Sequence, residues 1–126
     1  MSLLLERSAR VSVETLTKED LEWFIYADLW GNKADLSFIP TGASISHETH
    51  DTEDYLHKVL VNDAASVADT MWQHIQRRSP MAITFVVDNC GMEIVTDLVF
   101  AEVLLRCGVA NSVRLVCKTH PLYGQV

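Results

Sequence analysis

Apolar positions near the start of the chain repeat at helical spacing. Four of them recur at intervals of three or four residues: Leu21, Phe24, Ile25 and Leu29. This spacing predicts a helix over residues 17–29. Thr17 can cap its N-terminus, with Asp20 at the capping-box position that Glu or Gln usually occupies. Residues 1–14 show no clear periodicity. Residues 35–52 combine proline, glycine, serines and two histidines, which is typical of a loop.

The second half of the chain alternates between β-rich and helical patterns. The predicted order is a strand over residues 55–62, a helix over 64–78, a strand over 81–87, a helix over 93–107 and a strand over 113–117. The helix at 64–78 places Val67, Met71, Trp72 and Ile75 on one face. Residues 81–87 are almost continuously apolar, which predicts a strand buried on both faces. The β-α-β-α-β order predicts an α/β fold with a parallel sheet.

Ligands of parallel α/β sheets gather beyond the carboxyl ends of the strands. Asp88 and Asn89 directly follow the most apolar strand, and their carboxylate and amide oxygens suit a divalent cation. Glu93 then opens a helix, whose N-terminus favours a phosphate group. Metal and anion sites at one strand end are typical of phosphoryl transfer. From spacing alone, helix capping explains Asp88 and Asn89 equally well.

Weaker polar candidates have commoner structural explanations. Asp97 shares a helix face with Glu93 and could brace the site, but a solvated acidic face explains it better. Lys118 could reach a phosphate, although a lysine at a strand end is usually solvated. Asn62-Asp63 is most simply a turn. The histidines at 47, 50 and 57 match no metal-site spacing, so a polar loop is the better interpretation.

Composition narrows the class of partner and the compartment. The net charge of −7, with a pI near 5.0, argues against nucleic acid or an anionic membrane as the main partner. No apolar run reaches the ~18 residues of a membrane span. The three cysteines, Cys90, Cys107 and Cys117, form no disulfide or zinc pattern. Reduced thiols in the cytoplasm or nucleus are therefore expected, with Cys90 interpreted as a packed thiol.

Several segments together resemble one family. They are Leu-Trp-Gly-Asn-Lys-Ala-Asp-Leu-Ser at 29–37, Leu-Val-Asn-Asp at 60–63, Asp-Asn-Cys-Gly-Met-Glu at 88–93 with Thr-Asp-Leu at 96–98, and Lys-Thr-His-Pro-Leu-Tyr at 118–123. Their order and spacing resemble the damage-control phosphatases of the sugar-phosphate type, which are also described as protein-glutamate O-methyltransferases. The resemblance covers residues 22–123.

The resemblance implies a helical N-terminal part and a Rossmann-like core. It implies hydrolysis of phosphate esters such as fructose 1-phosphate with Mn²⁺, Co²⁺ or Ni²⁺. Asp88 and Asn89 would then bind the metal and the substrate, with Asp88 also catalytic. Asn32, and less directly Asp35, would lie near the substrate. Glu93 would be the position linked to S-adenosylmethionine in the methyltransferase description.

The chain departs from the family after Tyr123. There the family continues with Val-Ser-Asp, whose Asp is the third protein metal ligand, whereas Gly124-Gln125-Val126 stand here. An internal fragment is therefore expected, with residues 1–52 as a helical remnant and 53–126 as an incomplete metal-binding core. An exposed sheet edge would favour self-association. S-adenosylmethionine-dependent methyl transfer and a catalytically inactive fragment are the alternatives.

Overall fold

A computed structural model describes residues 2–29, 60–87 and 92–119. Within these ranges the chain forms helices α1 (Ser2–Arg10), α2 (Lys18–Leu29), α3 (Ala64–Gln76) and α4 (Met92–Arg106), and strands β1 (Met81–Val87) and β2 (Ala110–Cys117). The expected alternation of helices and parallel strands is confirmed. The boundary placed at residue 52 lies outside the described residues. Within the described residues, no helix is long and apolar enough to cross a membrane.

The N-terminus of α2 carries the predicted capping box. The Asp20 backbone N–H donates to Thr17 Oγ1 at 3.1 Å, and the Thr17 backbone N–H donates to Asp20 Oδ2 at 3.0 Å. This reciprocal pair satisfies backbone groups that a helix start leaves unpaired. Aspartate therefore performs here the role that a longer acid usually has.

Helix α1 was not predicted from the sequence. Leu4 and Ser8 form its buried side, and Val11, just beyond the helix, continues it. These positions have helical spacing, but a serine occupies the middle one. The Ser8 hydroxyl is buried without penalty because it donates to the Leu5 carbonyl oxygen at 2.8 Å. The polar residue thus interrupts the apolar period that would have indicated the helix.

Strands β1 and β2 pair in parallel and are connected through α4. Phe85 pairs with Leu115, and Val87 pairs with Cys117, so the two strands end level at one edge of the sheet. Both strands lie where the sequence placed them, with β2 three residues longer at its start. The two-stranded sheet supports the α/β assignment and the partial Rossmann-like arrangement.

Two expectations about strands are wrong within the described residues. Strand β1 is not buried on both faces, because exposure alternates along it and Val86 is 78% exposed. The C-terminal end of the strand predicted over 55–62 is not extended sheet. Leu60 and Val61 form bends; Leu60 is fully exposed and Val61 is 76% exposed. Residues 55–59 of that prediction lie outside the described residues.

The packed face of α3 includes three of the four predicted residues, and Val67 is the exception. Its buried residues are Ala64, Ala68 and Met71, whereas Val67 is 41% exposed. Ala64 and Ala68, which the apolar pattern did not select, are buried on this face. Trp72 and Ile75 contact the core from its margin.

Helix α4 passes through the centre of the hydrophobic core. Val103 and Leu104 on α4 are fully buried, as are Leu21 and Phe24 on α2. The rings of Phe24 and Phe100 stack with centroids 5.8 Å apart. Phe85 on β1 meets the same Phe100 ring edge-to-face, also at 5.8 Å. Phe100 therefore joins both α2 and the sheet to α4.

Candidate functional site

The carboxyl edge of the sheet is where the sequence places the site. Strand β1 ends at Val87 and α4 begins at Met92, so the segment 88–91 connects a strand end to a helix start. Asp88 and Asn89, predicted to bind metal and substrate, lie outside the described residues, as do Asn32, Asp35 and Cys90. Lys118 directly follows β2 and is exposed.

The first turns of α4 present three polar residues on one face. Glu93 is partly buried, and Thr96 and Asp97 are buried at 4% and 6% exposure. The Thr96 hydroxyl donates to the Glu93 carbonyl oxygen at 2.7 Å. The interpretation of Asp97 as part of a solvated acidic face is therefore wrong. Asp97 is enclosed because this face of α4 packs against α2.

Asp28, in the last turn of α2, is a candidate residue that the sequence analysis missed. It lies one turn after Phe24, and Thr96 lies one turn before Phe100, the stacking partner of Phe24. This antiparallel arrangement places Asp28 opposite Thr96 and Asp97. One oxygen, Oδ1, is sealed from solvent and has no hydrogen-bond partner in the described part of the chain. A carboxylate that continues the buried stripe of α2 was the available signal.

The surroundings of Asp28 favour its protonated form. Burial raises its pKa to about 8, and hydrogen bonding with Asp97 and repulsion by that carboxylate act in the same direction. Glu93 adds further repulsion. Thr96 opposes the rise, but its one hydroxyl hydrogen is already donated to the Glu93 carbonyl oxygen. At neutral pH, Asp28 is therefore mainly a neutral acid that can donate a hydrogen bond.

The Asn62-Asp63 turn has a structural role. The Tyr26 hydroxyl donates to Asn62 Oδ1 at 3.0 Å and accepts from Asn62 Nδ2 at 2.7 Å. Asn62 Oδ1 also accepts from the Ala64 backbone N–H at 3.2 Å, at the start of α3. Asn62 thus joins α2 to α3, as the simpler interpretation of a turn anticipated.

The remaining described candidates do not assemble a metal centre. Within residues 2–29, 60–87 and 92–119, no group of three or more His, Cys, Asp or Glu residues could hold a metal ion. Cys117 is exposed, whereas Cys107 is buried, and burial raises the pKa of its thiol. The predicted polar loop with its histidines lies outside the described residues.

Comparison with known proteins identifies a family. The family model described as the damage-control phosphatase ARMT1-like domain matches residues 1–124. The chain is 34% identical to damage-control phosphatase ARMT1 of Bos taurus and 33% identical to that of Homo sapiens, over 90% and 87% of its length. It is 32% identical to the Danio rerio protein over 87% of its length. The match extends further towards the N-terminus than the segments that carried the resemblance.

The chain spans only part of these relatives. The matched region is 28% of the bovine protein and 26% of the human and zebrafish proteins. No solved structure matches the chain. The chain therefore shares roughly one quarter of the length of each of these relatives.

Proposed function

Because this chain belongs to the ARMT1-like damage-control phosphatase family, we propose that it carries one part of a metal-dependent phosphatase site. The substrate class is small phosphorylated metabolites, with sugar phosphates such as fructose 1-phosphate as the first candidates. The printed names of the relatives describe phosphatases, which supports hydrolysis of a phosphate ester.

The observation that carries this proposal is where β1 ends and α4 begins. Strand β1 ends at Val87, level with the end of β2 at Cys117, and α4 begins at Met92. Carboxyl ends of parallel strands are where α/β sheets bind ligands. The N-terminus of a 15-residue helix adds backbone N–H groups and the positive end of a dipole. Both features suit a substrate that carries a phosphate group.

Asp88 and Asn89 are the proposed metal and substrate ligands. Their donor set is one carboxylate and one amide oxygen, hard ligands that fit a divalent cation such as Mn²⁺, Co²⁺ or Ni²⁺. When bound, such a cation supplies charge stabilisation at the phosphoryl oxygens. Asn32 is the proposed additional substrate contact, with Asp88 as the catalytic residue.

Glu93 has a separate proposed role. It lies in the first turn of α4, and its backbone carbonyl oxygen is fixed by Thr96. An acid at this position can orient a substrate or cofactor hydroxyl near the helix start. Under the alternative of protein-carboxylate methyl transfer, Glu93 would instead contact S-adenosylmethionine.

The test measures cation binding and phosphate release separately. The unmodified chain, Asp88→Ala and the control Glu19→Gln, an exposed acid on α2, are titrated with Mn²⁺, Co²⁺ and Ni²⁺ by calorimetry. Each is then assayed on fructose 1-phosphate and an aryl phosphate, with the bovine relative as a positive assay control. We expect Asp88→Ala to lose cation binding, and any phosphate release to fall by more than ~100-fold.

The outcomes separate the hypotheses. Cation binding that needs Asp88, without phosphate release, assigns this chain the metal-binding part of the site. Equal cation binding in the parent and in Asp88→Ala contradicts the proposed ligand. Retention of labelled S-adenosylmethionine that is lost in Glu93→Gln would favour methyl transfer instead.

A further inference from the structure

The contact between α2 and α4 changes character along its length. At its centre, the stacked rings of Phe24 and Phe100 make an apolar contact. One turn closer to the start of α4, the facing residues are acids. Asp28 on α2 meets Thr96 and Asp97 on α4, with Glu93 one turn beyond. Two carboxyl groups therefore lie in the same helix interface.

Burial makes two negative charges in this interface costly. Asp97 is 6% exposed, and Oδ1 of Asp28 has no contact with solvent. Asp28 also lies in the last turn of α2, where the helix dipole disfavours negative charge. Among the residues that the structure describes, the groups that act most strongly on Asp28 are Asp97, Thr96 and Glu93. A proton on one of the two carboxyl groups removes the repulsion between them.

We propose that Asp28 and Asp97 hold a single proton between them, and that this carboxyl–carboxylate pair fastens the last turn of α2 to the first turns of α4. The neutral partner donates a hydrogen bond to the charged one, a charge-assisted contact stronger than a neutral pair.

The sign of the pH dependence follows from the raised pKa of Asp28. In the unfolded chain this carboxyl ionises near pH 4, whereas the folded chain keeps its proton up to about pH 8. Between these values the unfolded state loses a proton that the folded state retains. The pair therefore contributes most to stability on the acidic side, and this contribution is lost as the pH rises from about 4 to about 8.

In the described part of the chain, charged groups on α3 and α4 either repel an ionised Asp28 or act on it weakly. Asp63, the N-cap residue of α3, is not among the groups that act most strongly on Asp28. Glu93 on α4 repels an ionised Asp28 and so supports the shared proton. On α3, which also packs against α2, Asp69 pairs with Lys18 at 2.9 Å. Lys18 begins α2, three turns from Asp28. The ion pair is therefore remote from the carboxyl pair.

The experiment compares urea unfolding of three forms of the whole chain at pH 5 and pH 8: the parent, Asp28→Asn and Glu19→Gln. Asparagine keeps the shape of Asp28 and the ability to donate a hydrogen bond, but it cannot ionise. We expect the unfolding equilibrium constant of the parent to rise by about tenfold or more over this pH interval, relative to Asp28→Asn. Glu19→Gln should follow the parent.

A direct measurement on the parent chain keeps the test valid even if Asp28→Asn fails to fold. Carbon-13 NMR of the aspartate carboxyl groups in the parent chain should show one carboxyl that titrates in the neutral range. Substitution of Asp97 by Asn should then move that titration to lower pH, because the repelling charge is gone. Titration of every described aspartate below about pH 5, or parallel pH profiles of the parent and Asp28→Asn, would overturn the proposal.

Discussion

Arg106 offers the sharpest test of how this chain holds α4 in place. Its guanidinium group lies in the last turn of α4 and reaches back to the C-terminal end of α1. Nη2 donates to the Ser8 carbonyl oxygen at 2.7 Å, and Nη1 donates to the Val11 carbonyl oxygen. A helix end leaves its last carbonyl oxygens without partners in the helix. Arg106 therefore pairs polar groups separated by more than 90 residues in sequence.

The same side chain also pairs with Glu102, four residues earlier. Nε donates to Glu102 Oε1 at 2.5 Å, and Nη2 donates to Oε2 at 3.2 Å. Both side chains of this pair are more than one third exposed. An exposed i, i+4 ion pair contributes only about 0.3–0.5 kcal/mol. The carbonyl contacts should therefore account for most of what Arg106 contributes.

Replacement of Arg106 by Met isolates these contacts. Methionine keeps part of the apolar stem and has a similar helix propensity, so packing and helix formation change little. Two charge-assisted hydrogen bonds at a partly exposed site correspond to about 2 kcal/mol of unfolding free energy. Urea unfolding followed by circular dichroism measures the difference. Glu102→Gln is the matched control and should cost no more than ~0.5 kcal/mol.

The costs of Arg106→Met and Glu102→Gln in unfolding free energy show whether the carbonyl contacts of Arg106 stabilise the chain. A cost for Arg106→Met equal to that of Glu102→Gln would mean that the carbonyl contacts contribute nothing. Arg106 would then not stabilise the contact between α1 and α4. A cost clearly above the control, with an unchanged dependence on urea, would show that α1 belongs to the same cooperative unit as α4.

Two further predictions concern helix ends. Gly108 follows α4 with φ of +75°, and an added Cβ would meet no atom within 4 Å. Gly108→Ala should therefore cost about 1 kcal/mol of unfolding free energy from backbone strain alone, and Gly108→Asn should cost clearly less. Equal stability of the parent and the alanine variant would contradict this. Thr17→Ala removes half of the α2 capping box and should cost about 1 kcal/mol. Thr70→Ala, on the exposed side of α3, is its control, and equal costs for the two threonines would argue against the box.

Local chemistry allowed much of this fold to be predicted. The capping box at Thr17, the β-rich run of β1 and the helical pattern of α4 all act within a few residues, so they can be recognised in the sequence. Helix α1 could not be, because its buried stripe includes Ser8, whose hydroxyl is satisfied by its own helix. Three of the four residues predicted for the packed face of α3 lie there, whereas Val67 is exposed and the small Ala64 and Ala68 are buried.

The site illustrates a second limit of sequence reasoning. Asp88 and Asn89 were identified because they follow a strand directly, but their placement lies outside the described residues. Asp97 was interpreted as part of a solvated acidic face because it lies on the same helix face as Glu93. The pairing partner, Asp28, is 69 positions away in sequence. Only the packing of α2 against α4 brings the two acids together.

Helix α4 is held by polar contacts of opposite character at its two ends. At its C-terminus, the guanidinium of Arg106 stays charged at all ordinary pH values, so that contact does not change with pH. At its N-terminus, α4 faces Asp28 of α2, whose pKa is raised to about 8, so that this contact changes with pH. If the whole pKa shift of Asp28 acted on stability, the free energy of unfolding at pH 7 would be lower than in acid by at most roughly 4 kcal/mol. Partial solvent exposure of Asp28 reduces this loss to about 2 kcal/mol. Because domains are stable by only about 5–15 kcal/mol, loosening under mildly alkaline conditions should begin at the end of α4 that follows residues 88–91.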